Sequence, residues 1–113
     1  MPSFAKLLGQ AAPADTTAAT LYTKPTQAIV FIDQLIICNV TGSPATYRVF
    51  HDDDGATYAV GNALCYDKSL AANDYILLDI KGNLYTDSGT IGVRSGTGAA
   101  LTFSLYGEEV YQL

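Results

Sequence analysis

The chain has 113 residues, a net charge of -5 and six Lys and Arg residues, which are scattered singly along the sequence. This distribution argues against partners such as nucleic acids and anionic membranes, because both bind clustered basic side chains. No apolar run approaches the roughly 18–20 residues that a membrane-spanning helix requires. Charged residues make up only 15% of the chain, below the roughly 25% of an ordinary soluble domain, so we expect a partner to cover part of the surface.

Residues 1–20 differ from the rest of the chain because they lack a strand or helix period, and a proline in the segment breaks any helix there. Phe4, Leu7 and Leu8 are apolar side chains that a free tail would leave in water. We therefore interpret residues 1–20 as an extended arm on the surface of its own subunit or a neighbour, with these three residues in the interface. Residues 21–113 form the predicted β-sandwich domain. The amino terminus also lacks the charged start and apolar stretch of a secretory signal.

From about residue 20 onward, short runs of alternating apolar and polar residues predict eight strands. Their predicted bounds are 20–23, 28–40, 45–51, 56–60, 63–67, 74–80, 90–95 and 100–107. Turn-forming residues separate most of these runs, at 41–44, 52–55, 71–74, 81–83 and 87–89. The predicted fold class is therefore all-β, an antiparallel sandwich or jelly roll of about eight strands with an extended amino-terminal arm.

Three details of the pattern make finer predictions. Residues 90–107 alternate on both sides of a Ser-Gly-Thr-Gly turn, which indicates a half-buried β-hairpin, and the turn at 41–44 indicates another. Asp33 and Gln34 interrupt the longest apolar segment, which predicts a bulge or corner there. Residues 74–80 are apolar on nearly both faces, which is typical of a central strand or of one that lies against a partner subunit.

Few side chains of the kind that carry catalysis or bind metals are present. His51 is the one histidine, and because no nucleophile elbow accompanies it, we interpret it as a strand-end side chain with one hydrogen bond. Asp52, Asp53 and Asp54 lack the ligand spacing of an EF-hand calcium loop; a solvated turn is favoured, and a Ca²⁺ site is the alternative. We therefore predict no enzymatic activity, no catalytic residue, no metal and no cofactor.

Cysteine and tyrosine residues also favour packing over chemistry. Cys38 and Cys65 are too far apart in the sequence for a zinc or redox motif, so free buried thiols are expected, and a disulfide requires Cα atoms within about 7 Å. The chain has eight tyrosines and no tryptophan. The tyrosines are scattered over several strands, which favours core and interface packing over a sugar-binding platform.

Six short segments carry a resemblance that runs along nearly the whole chain. They are Leu8-Gly-Gln-Ala-Ala-Pro-Ala, Leu21-Tyr-Thr, Ile37-Cys-Asn-Val, Ala45-Thr-Tyr-Arg-Val, Ala71-Ala-Asn-Asp74 and Phe103-Ser-Leu-Tyr-Gly-Glu-Glu-Val110. Their order resembles small β-sandwich virion proteins of tailed bacteriophages, of the head-decoration or cement type. Residues 51–57 depart from this pattern because they are more acidic, and residues 91–93 depart from it because a Val-Arg-Val strand is expected there.

The resemblance implies a cement protein that decorates a phage capsid and stabilises it by bridging shell subunits. Its expected partners are the major capsid protein or other virion proteins, together with further copies of itself, most consistent with a trimer. The expected location is the outer surface of the phage head, after assembly in the host cytoplasm. Two alternatives stay open: a tail, baseplate or fibre component, and a receptor- or carbohydrate-binding module on the virion.

Overall fold

The computed structural model describes residues 2–112, which form nine strands and one short 3-10 helix. In chain order these elements are β1 (Ser3–Ala11), β2 (Ala19–Thr23), β3 (Ala28–Asn39), β4 (Ala45–Asp52), the 3-10 helix (Val60–Asn62), β5 (Ala63–Leu70), β6 (Tyr75–Leu78), β7 (Gly82–Leu84), β8 (Thr90–Ser95) and β9 (Leu101–Tyr111). Within this part of the chain, no helix is long and apolar enough to cross a membrane.

The strands form two antiparallel sheets that pack face to face. The larger sheet has the order β1-β9-β3-β6, and β7 also pairs with β3; the smaller sheet has the order β2-β8-β4-β5. The prediction of an all-β sandwich is confirmed, whereas a jelly-roll topology is not confirmed. The two longest strands, β3 and β9, pair along their whole length at the centre of the larger sheet.

The core lies between the sheets and follows the strand alternation, since successive side chains point to opposite faces. On β4, Tyr47 and Val49 are buried in the core, as their shared face predicts, and on β9, Phe103 and Leu105 are buried opposite them. Ile32 and Leu35 on β3 both point inward. They keep the same face because the register shifts between Ile32 and Gln34, which confirms the predicted bulge.

The strand prediction errs at three places. Residues 56–60 are not a strand, because 56–59 are a loop and Val60 begins the 3-10 helix. The backbone N–H of Thr57 donates to Asp52 Oδ2 at 2.7 Å instead of joining a ladder. β7 occupies residues predicted as a turn, since a glycine-containing segment also forms a short strand when a long neighbour offers hydrogen bonds. β1 lies in the segment for which no strand period was seen. The described residues therefore contain nine strands instead of about eight.

Both predicted hairpins are wrong, because their strands lie in opposite sheets. β8 belongs to the smaller sheet and β9 to the larger, and β3 and β4 are divided in the same way. After β8, the chain leaves the smaller sheet as the Gly96 N–H donates to Thr46 O at 2.8 Å and the Ala99 N–H donates to Pro13 O at 2.9 Å. Contacts with distant segments thus turn the chain at a corner between sheets.

The amino-terminal segment is a strand of the sandwich over Ser3–Ala11 and pairs with β9. Its extended conformation agrees with the prediction for residues 1–20, but a separate arm is not confirmed. β9 is thereby flanked on both sides, by β1 and by β3, so its backbone groups are satisfied on both edges. Residues 12–18 connect this edge strand to β2 in the other sheet.

Candidate interaction surface

The outward side of the larger sheet is an apolar surface that no other part of residues 2–112 covers as a layer. We call it the outer face, and it consists of Ala5, Leu7, Gln10, Phe31, Gln34, Ile36, Cys38, Tyr75, Leu77, Thr102, Ser104, Tyr106 and Glu108. The registers place these residues in rows across the strands. One row runs from Gln10 through Ser104 and Ile36 to Leu77, and the Gln10 Nε2 donates to Ser104 Oγ at 2.9 Å.

Large apolar side chains are exposed at both ends of the outer face. Tyr75 is 67% exposed and Leu77 48% exposed at one end, and Phe31 is 46% exposed at the other. Glu108 is the one charged member of the set. A shallow depression of about 530 Å³ crosses β1, β9 and the β3 bulge at the Phe31 end of the face. Leu7, Phe31 and Tyr106 line it, and Lys6, Asp33 and Glu108 give this end its charges. This composition, apolar and aromatic with few charges, is that of the core of a protein–protein interface.

The outward side of the smaller sheet is different, because side chains of the same molecule cover much of it. The Tyr58 ring stacks on Phe50 with centroids 5.6 Å apart, and it also occupies the space beside Gly92. Arg48 forms a bidentate ion pair with Asp67, in which Nε donates to Oδ1 at 2.6 Å and Nη2 donates to Oδ2 at 2.9 Å. The Arg48 guanidinium also lies 3.9 Å from the ring centroid of Tyr66. These contacts satisfy the charges locally and leave this side more polar than the outer face.

The three predicted interface residues lie on one strand but do not share a face. Leu7 points to the outer face, opposite Tyr106 on β9. Phe4 pairs with Glu109 on the inward side, where its ring meets Tyr111 edge-on at 6.0 Å, yet it stays 52% exposed because β1 is an edge strand. Leu8 packs against the core. The side chains alternate between the two sides because Ser3–Ala11 is a strand, and the sequence analysis did not predict this strand.

A buried carboxylate that the sequence analysis did not single out fastens β1 to the sandwich. Glu109 on β9 accepts hydrogen bonds from Tyr22 on β2, at 2.5 Å, and from Tyr111, at 3.2 Å, and it pairs with Lys6 on β1 at 3.4 Å. Burial alone would raise the pKa of Glu109, but the Tyr22 hydrogen bond and the Lys6 charge outweigh it and lower that pKa. Burial and Glu109 raise the pKa of Tyr22. The charged cluster therefore links both sheets.

A second buried charge ties two loops together. Lys24 is 4% exposed, and its Nζ donates to Pro25 O, Ala28 O and Asp87 Oδ1, at 2.7, 2.7 and 2.6 Å. An ammonium group has three donors, and all three are used. Lys24 is thus a structural residue, and a buried lysine just before a turn is hard to recognise from sequence because lysine is usually exposed.

The acidic turn is less solvated than predicted. Asp52 is buried, and its carboxylate accepts the backbone N–H groups of Asp54 and Thr57 at 3.1 and 2.7 Å. Asp53 accepts the Tyr85 N–H at 2.8 Å. The hydrogen bonds from Thr57 and Asp54 lower the pKa of Asp52, and the Tyr85 N–H lowers that of Asp53. The prediction of a solvated turn is therefore wrong for Asp52, and among residues 2–112 no group of three or more ligands is placed to hold a metal ion.

His51 and the cysteines are arranged as structural side chains. The His51 Nε2 lies 3.0 Å from Asn83 O, and because a carbonyl only accepts, Nε2 carries the proton. This single contact is the one predicted for a strand-end histidine. Cys38 and Cys65 are both free thiols. Cys38 belongs to the outer face, whereas Cys65 packs against the core, where burial raises the pKa of its thiol.

Comparison with known proteins adds information about the fold. No family model and no curated protein sequence matches the chain. Among solved structures, it is similar to part of a chain of infectious bursal disease virus, Gx strain, with a TM-score of 0.56 and 14% identity over 96% of this chain and 32% of that one. A second structure, the T13 particle of the same virus, gives a TM-score of 0.58 and 9% identity over 97% of this chain and 30% of that one.

This chain therefore spans about a third of the length of the viral chains that it matches, which it covers to 32% and 30%. Identities this low show a shared fold and no more. The shared fold is the antiparallel two-sheet β-sandwich, which this chain has in common with part of these two viral chains.

Proposed function

We propose that this protein is a structural component of a virion, which decorates a capsid and stabilises it by bridging neighbouring shell subunits. The observation that carries the proposal is the uneven surface of a sandwich of viral capsid type: one outward side is covered by polar contacts, and the other is apolar and open. The resemblance to cement proteins of tailed phages supports the finer assignment. The proposed location is the outer surface of a phage head, after assembly in the host cytoplasm.

The amino-terminal segment is the proposed contact with the shell. Phe4 and Leu7 are 52% and 42% exposed on an edge strand, and burying a side chain of this kind contributes about 1.5–3 kcal/mol. Leu8 anchors the same strand in the core. The free edge of β1 also has backbone groups that a neighbouring strand can pair with. Separation of neighbouring shell subunits under internal pressure would then require the loss of these apolar and backbone contacts with β1.

Assembly with further copies of the same chain belongs to the proposal as well. Several copies on one oligomer make shell binding multivalent, which raises the apparent affinity without any new type of contact. The sequence favours a trimer, and this copy number stays a prediction. The tail, baseplate or fibre role and the receptor-binding role are the alternatives. The exposed tyrosines Tyr66 and Tyr75 belong to different sheets, so they do not form one sugar platform.

Quantitative mass spectrometry of purified virions from the genome that encodes this chain tests the proposal. Hundreds of copies per particle are expected for a head-decoration protein, and a handful would favour the tail alternative. A complete absence from purified particles would contradict any virion role.

A binding assay on shells stripped of the protein tests the assigned contact. The substitution Phe4→Ser is expected to weaken rebinding by about tenfold or more, since it removes an apolar anchor. The matched control is Val60→Ser, because Val60 is an exposed apolar residue, 72% accessible, in the 3-10 helix far from β1. Equal rebinding by the two variants would show that β1 is not the shell contact.

A further inference from the structure

We infer that the outer face binds a second copy of the same chain, so that two larger sheets pack face to face about a two-fold axis. This inference does not rest on the proposed virion role, because it concerns the isolated protein in solution. A dimer of this kind covers Leu7 and leaves Phe4, which lies on the other side of β1, together with the free edge of β1, as the shell contact. It follows from three properties of the outer face: its composition, its area and the position of its charges.

The composition of the outer face is that of a surface meant to be covered. Its middle rows contain Ile36, Ser104 and Leu77, and none of their neighbours in the rows between Leu7 and Tyr75 carries a charge. β6 is an edge strand, yet Tyr75 and Leu77 point outward and stay exposed. The sequence pattern of this segment, apolar on both faces, is explained when the inward side meets the core and the outward side meets a partner.

The area of the outer face is sufficient for a stable dimer. β3 has 12 residues, which at about 3.3 Å per residue gives a length of about 40 Å. The other strands of the face are shorter, with 9 residues in β1, 11 in β9 and 4 in β6. At about 4.8 Å between strands, the four strands together present about 570 Å². Two such faces bury about 1,140 Å² in total, which is above the roughly 1,000 Å² that a specific protein–protein interface requires.

The charges of the outer face are placed so that two copies do not repel each other. Glu108 of the outer face, and Asp33 beside it at the bulge, lie at the end that contains Phe31, whereas no outer-face residue at the end that contains Tyr75 and Cys38 is charged. Asp74 precedes Tyr75 at the rim of that end, and its carboxylate accepts the Tyr75 N–H at 2.8 Å. A two-fold axis that lies in the interface and runs across the strands places Glu108 and Asp33 of one copy over the end of the other that contains Tyr75 and Cys38, so the same carboxylates do not face each other. Asp33 is also paired with Lys81, which reduces its net effect.

The symmetry of such a contact determines the number of copies. A face that packs on itself about a two-fold axis is closed with two subunits, because both copies use the same surface. The inference therefore departs from the trimer expected from the sequence, and the mass in solution decides between them. The outward side of the smaller sheet is a weaker candidate, because Tyr58 and the Arg48–Asp67 pair already cover it.

Sedimentation of the full chain tests the inference. We expect a mass twice the 12.0 kDa of one chain. Leu77→Lys and Tyr75→Lys each place a charge on β6 at one edge of the contact, and each is expected to raise the dimer dissociation constant by about tenfold or more. Both positions are exposed, and the circular dichroism spectrum of each variant shows whether the sandwich is retained.

Leu64→Lys is the matched control, because Leu64 is 47% exposed, like Leu77 at 48%, but lies on β5 in the smaller sheet; this variant should remain a dimer. A second readout is the alkylation rate of Cys38, which should increase in Leu77→Lys while that of Cys65 stays constant. The inference is wrong if the wild-type chain is a monomer or a trimer, or if Leu77→Lys and Leu64→Lys dimerise equally. It is also wrong if Cys38 is alkylated equally fast in the wild type and in Leu77→Lys.

Discussion

Glu109 is a buried carboxylate that contacts side chains of β1, β2 and β9. Lys6, Tyr22 and Tyr111 compensate the cost of its desolvation, and a buried carboxylate that loses its partners is strongly destabilising. β1 belongs to the larger sheet and β2 to the smaller sheet. Glu109 therefore couples two strands that otherwise have few contacts with each other.

Replacing Glu109 by Gln should therefore lower the free energy of unfolding by about 1–3 kcal/mol at pH 7. The folded-state pKa of Glu109 is lowered, so its contribution is present above the unfolded pKa of about 4.3 and is lost as the pH falls through the folded value. Urea unfolding at pH 7 and pH 3 measures both effects. The variant should lose less stability than the wild type over this range.

Glu108→Gln is the control for this prediction, because the neighbouring glutamate points to the outer face and has none of these partners. Its effect on the free energy of unfolding should be small. Equal losses for the two variants would show that the cluster around Glu109 contributes nothing specific.

Asp52 stabilises the loop that follows β4 by accepting two backbone N–H groups. Asp52→Ala leaves both donors without a partner, so the melting temperature at pH 7 should decrease by several degrees, whereas Asp54→Ala should change it little. The hydrogen bonds from Thr57 and Asp54 lower the pKa of Asp52, so its contribution is complete above the unfolded pKa of about 3.9 and is lost as the pH falls through the lower folded pKa. Differential scanning calorimetry measures these shifts.

The same experiment tests the calcium alternative. Since the Asp52 and Asp53 carboxylates are engaged by N–H groups, EDTA and added Ca²⁺ should both leave the melting temperature unchanged. A decrease of several degrees with EDTA that Ca²⁺ restores would identify the turn as a metal site.

At the scale of the elements, the β3 bulge requires a glycine on the neighbouring strand. A Cβ atom at Gly107 of β9 would lie 2.3 Å from Phe31 O and 2.8 Å from Leu8 Cδ1. The first contact is with backbone, which cannot rotate away. The close approach of β3 and β9 beside the bulge therefore depends on the absence of a side chain, and this glycine also leaves room for Leu8 of β1.

Gly107→Ala should for this reason reduce the free energy of unfolding by about 1–3 kcal/mol, as expected for overpacking of a well-packed site. The control is Gly82→Ala at the start of β7, where a new Cβ atom would meet no atom within 4 Å. Chemical denaturation of both variants provides the comparison. Similar stabilities would show that β3 and β9 separate easily at the bulge.

At the scale of the whole molecule, β1 prevents β9, the second-longest strand, from being an open edge of the larger sheet. β9 runs over Leu101–Tyr111, and without β1 its backbone N–H and C=O groups on one side would be free to pair with other chains. Lys6 and Leu8 would also be lost from the charged cluster and the core.

Deletion of residues 1–11 should accordingly lower the melting temperature and produce concentration-dependent aggregation, measured by light scattering. The double substitution Phe4→Ser and Leu7→Ser keeps the strand and its pairing, so it should remain soluble. If the deleted protein is as stable and soluble as the full chain, β1 is a dispensable arm, as the sequence-based interpretation of residues 1–20 implied.

The sequence by itself determined the all-β class, most strand positions and which side chains of β4 and β9 share a face. These properties follow from period-2 alternation, which is local and needs no knowledge of strand partners. The β3 bulge was also predictable, since two polar residues, Asp33 and Gln34, interrupt an apolar run.

Only the tertiary structure decided which strands pair. A glycine-containing turn such as 95–98 suits a hairpin and also a corner between two sheets, and the choice depends on distant hydrogen bonds to Thr46 and Pro13. The same reason explains β1, whose weak local pattern becomes a strand because β9 offers an unpaired edge. Glu109 was likewise invisible in the sequence, because burial is a property of the assembled sheets. The sequence indicated a covered surface and a two-sided apolar segment at residues 74–80, but only the sheet registers place this segment with Phe31 and Leu7 on one outer face.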